Sequence, residues 1–259
     1  MKPGLGWLPE LPDPRDYDIY AHPAISPPRG ALLLPESIDL TEHCSPIENQ
    51  GQLGSCTAQA VIGCVEYYQR QQRGQHTDAS RLFLYKTSRD LHGWVGDTGM
   101  YVRSAMKAMS IFGAPPERYW PYDPSKLDAE PGPFAYAYAQ RFRTTAYYRL
   151  DRAGRTRAQL LSTIRQIINW SIPVVFGFVV FNYGDSDGTF PMPDPGDRAL
   201  GGHAVVAVGY DDSREALRLR NSWGTGWGQD GYGWLPYGYI LEGLSSDFWC
   251  IYHQDYRTD

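Results

Sequence analysis

Apolar side chains return at helical spacing through the first part of the chain. Past Cys56 they fall at Val61, Cys64, Val65 and Tyr68, the i, i+3, i+4, i+7 series that lines one helix face. Ser80 to Leu91 combines a capping serine with an apolar face and predicts a second helix. A third runs through Val102, Ala105, Met106, Met109 and Phe112 and stops at Gly113. Thr156-Arg-Ala-Gln159 is a capping box, followed by Leu160, Leu161, Ile164, Ile167 and Ile168 on one face before Pro173. The period then changes. Val174 to Val180, His203 to Tyr210, Ala216 to Arg220, Tyr232 to Leu235 and Phe248 to Tyr252 are short apolar runs separated by Gly, Asp and Pro, which predicts an antiparallel sheet or barrel. A helical half followed by a strand-rich half is an α+β pattern, two cores with a groove between them.

The pattern also divides the chain into a leader (1–34), a mainly helical lobe (35–140) and a β-rich lobe (141–259). Met1 to Leu34 carries seven prolines, which forbids a continuous helix and favours extended backbone. Trp7, Tyr17, Tyr20 and the Leu32 to Leu34 run are apolar groups that disordered segments lack, so the leader is expected to pack on the body. Tyr119 to Pro133 reads as a connector. Asn182 to Gly196 reads as an inserted surface loop.

Composition narrows the class. The 259 residues, 42% hydrophobic and 20% charged, are enough for one large or two ordinary domains with a real core. A formal net charge of -5 leaves no basic stripe, so no nucleic-acid partner is expected. No apolar run approaches the ~20 residues of a membrane span, and Met1-Lys-Pro-Gly-Leu-Gly-Trp7 has no signal core. The reading is a soluble monomer, cytoplasmic or exported without a visible signal peptide. Four cysteines do not make a disulfide framework. Cys64 reads as core, and a Cys44–Cys250 pair stays open. The histidines are scattered with no ligand spacing, so neither metal nor cofactor is expected.

The candidate chemistry centres on Cys56, which follows a loop punctuated by Gly51 and Gly54 and starts a helix. Unpaired N–H groups and the macrodipole at a helix start favour an anion, a setting that lowers a thiol's pKa. A small buried cysteine is the plainer alternative. Far along the chain lie Gly201-Gly202-His203 and Asn221-Ser-Trp-Gly-Thr-Gly-Trp-Gly228. A cysteine nucleophile needs a base, and the base needs a group to hold its ring. Cys56, His203 and Asn221 supply those types, although singly His203 also fits a structural histidine.

Taken with Gln50-Gly-Gln-Leu-Gly-Ser-Cys56, these residues resemble the papain-like cysteine peptidases, the papain and cathepsin family, in the order Gln, Cys, His, Asn. The resemblance spans Pro35 to Tyr252 and is to a bacterial branch with a short leader. Two positions depart from the pattern. Leu53 stands where a cysteine is usual, which deletes half of a typical disulfide, and Thr57 stands where an aromatic is usual.

The resemblance implies a two-lobe fold, helical lobe against a β-barrel-like lobe, with the active-site cleft between them. It implies Cys56 as nucleophile, His203 as base and then acid, and Asn221 as the group that orients the imidazole. Gln50 would donate to the oxyanion beside the Cys56 N–H, or be a solvated loop residue. Gly99 would offer backbone to an extended peptide or protein substrate. Met100, Gly177 and Ala204 would line the pocket for the second residue before the cut, with Asp247 at its floor accepting basic side chains; Met100 as core and Asp247 as a turn cap are equally open. The activity implied is peptide-bond hydrolysis through a thiol acyl-enzyme. An acyl-transferase or deamidase, or a binding protein that has lost catalysis, are the alternatives. The leader, acidic at Glu10, Asp13, Asp16 and Asp18, is expected either to fill its own cleft or to wrap the outside.

Overall fold

The computed structural model describes residues 2–21, 33–144 and 146–251. Its helices are α1 (Cys56–Arg73), α2 (Arg81–Asp90), α3 (Val102–Ile111), α4 (Pro133–Ala139), α5 (Arg157–Asn169) and α6 (Gly238–Leu241). Its strands are β1 (Ser37–Asp39), β2 (Tyr147–Arg149), β3 (Val174–Val180), β4 (Gly201–Asp211), β5 (Ala216–Arg220), β6 (Tyr232–Pro236) and β7 (Ser245–Ile251). All pair antiparallel in one sheet, ordered β2-β7-β3-β4-β5-β6 with β1 added on β4. This is the α+β arrangement of helices against an antiparallel sheet. Among the described residues no helix is long and apolar enough to cross a membrane.

The caps read from the sequence form. The Ser80 hydroxyl accepts the Phe83 N–H at 3.2 Å, and at α5 the Thr156 and Gln159 side chains each accept the other's backbone N–H, at 3.2 and 2.9 Å. β3 is an unbroken apolar run because α1 and α5 both pack on β3 and β4, leaving neither strand a wet face.

α1 is buried along Cys56 to Gln69 because it runs between the helical half and β4. One apolar cluster therefore continues from the helices into the sheet, where two separate cores were expected, with a small satellite of Phe83, Ala135 and Ala139. β1 pairs with β4, so the start of segment 35–140 lies on the strand-rich half. α4 and β2 were not anticipated: α4 sits in a Pro-, Gly- and Tyr-rich stretch, and β2 is three residues long. The loop after β3 is not merely surface, since Phe190 is fully buried in it. The four cysteines are buried and free, so Cys44 and Cys250 are not paired. In the leader Trp7 and Ile19 are buried while Tyr17 is exposed. Leu32 and Tyr252 lie outside the described residues.

Strand register positions the site. β3 and β4 pair Gly177 with Ala204, Phe178 with His203 and Val179 with Gly202. On its other edge β3 meets β7 with an irregularity, Val175 opposite Trp249 but Gly177 opposite Ser246. Two residues, Asp247 and Phe248, thus face one, and Asp247 takes a φ of 58°, in the left-handed region that Asp tolerates better than most. The bulge brings the Asp247 carboxylate to the same end of the sheet as Gly177 and Gly202.

Candidate active site

Cys56 is the first residue of α1, and β4, the strand that carries His203 and Ala204, packs against that helix. The His203 ring is fully buried, stacked on Trp223 at 4.4 Å between centroids and 26° between planes, with the Phe178 edge at 5.9 Å. Its Nε2 lies 2.7 Å from Asn221 Oδ1, which also accepts the Ser222 N–H at 2.8 Å. That second bond fixes which end of the amide is oxygen, so Nε2 must carry the ring proton. Nδ1 is left with the lone pair, and among the described residues it is buried with no hydrogen-bond partner. The basic nitrogen is therefore chosen by Asn221.

The thiol of Cys56 faces the backbone N–H groups of Ala204, Gly6, Thr57 and Cys56, all of which favour its thiolate. Burial outweighs them and pushes the thiol up to about 11. Burial likewise depresses His203 to about 4, against the Asn221 hydrogen bond that raises it. This corrects the expectation of a lowered thiol pKa at the helix start. The helix start is present, but Cys56 is fully buried, and the leader's Gly6 N–H is among the groups around its sulfur.

Gln50 is fully buried. Its Oε1 accepts the Ser222 hydroxyl at 2.6 Å, which turns the NH2 towards the Leu53 carbonyl at 2.8 Å and the Gly4 carbonyl at 3.1 Å. A backbone bond from Gln50 N–H to the Ser222 carbonyl, 2.9 Å, joins the same two segments. The Tyr122 hydroxyl reaches both the Ser55 hydroxyl, 2.6 Å, and the Gln50 carbonyl, 2.9 Å. The loop that lacks a cysteine at Leu53 is held differently. Asp97 accepts the Gly54 N–H on both oxygens at 3.0 Å and the Tyr85 hydroxyl at 2.6 Å, and the Tyr85 oxygen accepts the Gly99 N–H at 2.9 Å. Hydrogen bonds thus join the loop before Cys56 to the turn at Gly99.

The leader threads this site. Gly4 N–H donates to the Gly51 carbonyl at 2.9 Å, Trp7 N–H to Gly202 at 3.0 Å, Met100 N–H to Gly6 at 2.7 Å and Leu8 N–H to Met100 at 3.2 Å. Trp7 and Met100 form a parallel bridge. Gly6 passes so close to Gly54 that a Cβ on it would strike that backbone, and the Trp7 ring lies on Gly177 and Gly202, where any side chain would collide with it. The indole N–H donates to Asp247 Oδ2 at 3.1 Å.

Of the residues expected at the pocket, Gly177, Met100 and Asp247 meet the leader, and so does Gly99, whose Cβ would strike Gly6. Ala204 instead presents its N–H to the Cys56 sulfur. Asp247 accepts the Trp7 indole N–H, and Arg149 Nη2 pairs with it at 2.8 Å while the Glu10 N–H donates to it at 2.9 Å. Burial still holds its carboxyl up at about 6, with the Arg149 charge working against that rise. Arg149, Gly202, Ser222, Tyr122 and Asp97 were not foreseen. Only the Tyr-Trp-Pro-Tyr122 cluster and the second glycine before His203 offered a local signal.

A model of the papain family of cysteine proteases matches residues 34–244. An uncharacterized peptidase C1-like protein of Acanthamoeba polyphaga mimivirus is 35% identical over 231 residues, 86% of this chain and 74% of that one. Papain of Carica papaya is 26% identical over 208 residues, 78% of this chain and 55% of papain's. The crystal structure of xylellain, a cysteine protease from Xylella fastidiosa, superposes with a TM-score of 0.83 at 32% identity, covering 98% of this chain and 97% of xylellain's.

Proposed function

The chain belongs to the papain family of cysteine proteases, and from that premise we propose that it hydrolyses peptide bonds through a Cys56 thioester and is held latent by residues of its own leader. Cys56 Sγ attacks the substrate carbonyl carbon as its proton passes to His203 Nδ1. The oxyanion that forms takes hydrogen bonds from Gln50 Nε2 and the Cys56 N–H. His203 then protonates the leaving amine, and water, deprotonated by the same nitrogen, releases the acid and restores the thiol.

The observation that carries the reading is the Gln50 amide bonded to a peptide carbonyl, that of Gly4, at 3.1 Å. The donor meant for an oxyanion already holds the oxygen of a peptide, while the leader's contribution to the groups that face the sulfur is the Gly6 N–H. Such a peptide sits in the cleft without being cut. With Trp7 in the pocket and water excluded, thiol and imidazole stay neutral; displacing the leader rehydrates both and lets the thiolate–imidazolium pair form.

The test uses the full chain carrying Trp7→Ala, so that the cleft opens while the body is untouched. Adding Cys56→Ala or His203→Ala to it should abolish cleavage of a peptide library while the thermal melt stays that of the Trp7→Ala chain. Cleavage retained by either double variant removes the assignment.

A further inference from the structure

Beyond Trp7 the leader runs away from Cys56 and meets two arginines whose surroundings differ. Arg149, on β2, is 1% exposed and holds Asp151 through Nε and Nη2 at 3.0 and 3.1 Å, and Asp247 at 2.8 Å. Both acids belong to the body of the protein. Its bonds to the leader go mainly to carbonyl oxygens, Glu10 at 2.8 Å and Leu11 at 3.2 Å, with Asp16 more distant at 3.7 Å.

Arg103, one turn past Met100 on α3, is the opposite case. Its Nε and Nη2 grip the two oxygens of Asp16 at 2.9 and 2.8 Å, Nη2 also donates to the Leu11 carbonyl at 3.0 Å, and Nη1 pairs with Glu10. Both carboxylates come from the leader. From the body it has the face of Trp249, 5.5 Å away, and its side chain is 18% exposed. When a peptide takes the leader's place, Arg149 keeps its two acids and Arg103, among the described residues, keeps none. A guanidinium fork half-removed from water beside a peptide groove binds a carboxylate strongly and rejects a neutral isostere.

We propose that Arg103 reads the substrate: it receives an Asp or Glu side chain at the end of the groove beyond the Trp7 pocket, on the amino side of the cut, and makes acidic peptides the favoured class. The proposal rests on the reading that the leader lies in the substrate groove, where Glu10 and Asp16 stand in for the substrate's acid. The chain's net charge of -5 works against acidic peptides at long range, so a preference for them must come from a local contact.

The experiment compares kcat/KM for matched peptides that differ only as Glu or Gln at the positions three or more before the cut, using the full chain with Trp7→Ala. The Glu set should be favoured by about tenfold at low salt, the worth of one charge-assisted pair, and less at high salt. Arg103→Met should bring the two sets to the same rate, and Arg103→Lys, which keeps the charge without the fork, should retain part of the preference. Equal rates for Glu and Gln in the Arg103 enzyme, or a Glu preference that survives Arg103→Met, would overturn the proposal. The groove reading is judged separately, by whether Trp7→Ala speeds thiol-directed labelling of Cys56. If it does not, latency fails and the same Glu and Gln comparison on the parent chain still decides the role of Arg103.

Discussion

Trp7 and Asp247, 240 positions apart in sequence, are joined by a 3.1 Å hydrogen bond from the indole N–H to a carboxylate oxygen. The ring rests on the bare backbones of Gly177 and Gly202, so in the proposed reading the side chain that fills the substrate pocket belongs to the enzyme itself.

Gly177→Ala places a methyl group in the volume of that ring. It should unseat the leader without changing the leader's sequence, raising the labelling rate of Cys56 as Trp7→Ala does. It should also slow cleavage of peptides with a large second residue before the cut. Labelling as slow as in the parent, with an unchanged melt, would mean that Trp7 does not hold the cleft closed.

Asp247 sets a pH dependence whose sign follows from its raised pKa. Between its unfolded value near 4 and its folded value of about 6 the folded chain binds a proton that the unfolded chain does not. The contribution is thus fully present below about pH 4 and is lost as pH rises through 6, by at most about 3 kcal/mol. Thermal melts of parent and Asp247→Asn from pH 4 to 7 should diverge in that direction, the variant lacking this decline. Parallel curves would contradict the assignment.

Asp97 ties the loop before Cys56 to Tyr85 on α2. Asp97→Ala should destabilise the chain by about 1–3 kcal/mol, because the Gly54 N–H and Tyr85 hydroxyl lose a shared acceptor. It should also lower turnover more than Asp97→Asn, which keeps one acceptor. A melt and turnover equal to the parent's would show that the loop is held otherwise.

Ser222 orients the Gln50 amide. In the Trp7→Ala chain, Gln50→Ala should cost about 10²–10³ in kcat, the usual worth of an oxyanion donor, and Ser222→Ala about a tenth of that effect. Both losses should appear in kcat with KM little changed. Losses confined to KM would make Gln50 a binding residue.

Much of this was legible from residue order. The caps at Ser80 and Thr156 act within one turn and need no partner from elsewhere, and Cys56, His203, Asn221 and Gln50 are residue types that one reaction requires together. α4 was hidden because its seven residues directly follow the proline-rich connector and alternate aromatic with Ala, which gives no helical period, and β2 because three residues carry no period. Ser222, Asp97, Arg149 and Arg103 do their work across the fold, so nothing in their neighbours announces it. The thiol's pKa was misjudged for the same reason. A helix start acts locally, but burial is a tertiary effect and outweighs it.

The most direct measurement is the rate at which a thiol-reactive peptide epoxide labels Cys56 at neutral pH in the parent and in the full-length Trp7→Ala chain. Burial pushes the thiol up to about 11, so it is scarcely ionised at pH 7, and in the proposed reading the leader also blocks its approach. The account predicts labelling at least about tenfold faster in Trp7→Ala and none in either chain when Cys56→Ala is added. Equal rates in the two chains, or labelling that persists without Cys56, would contradict it.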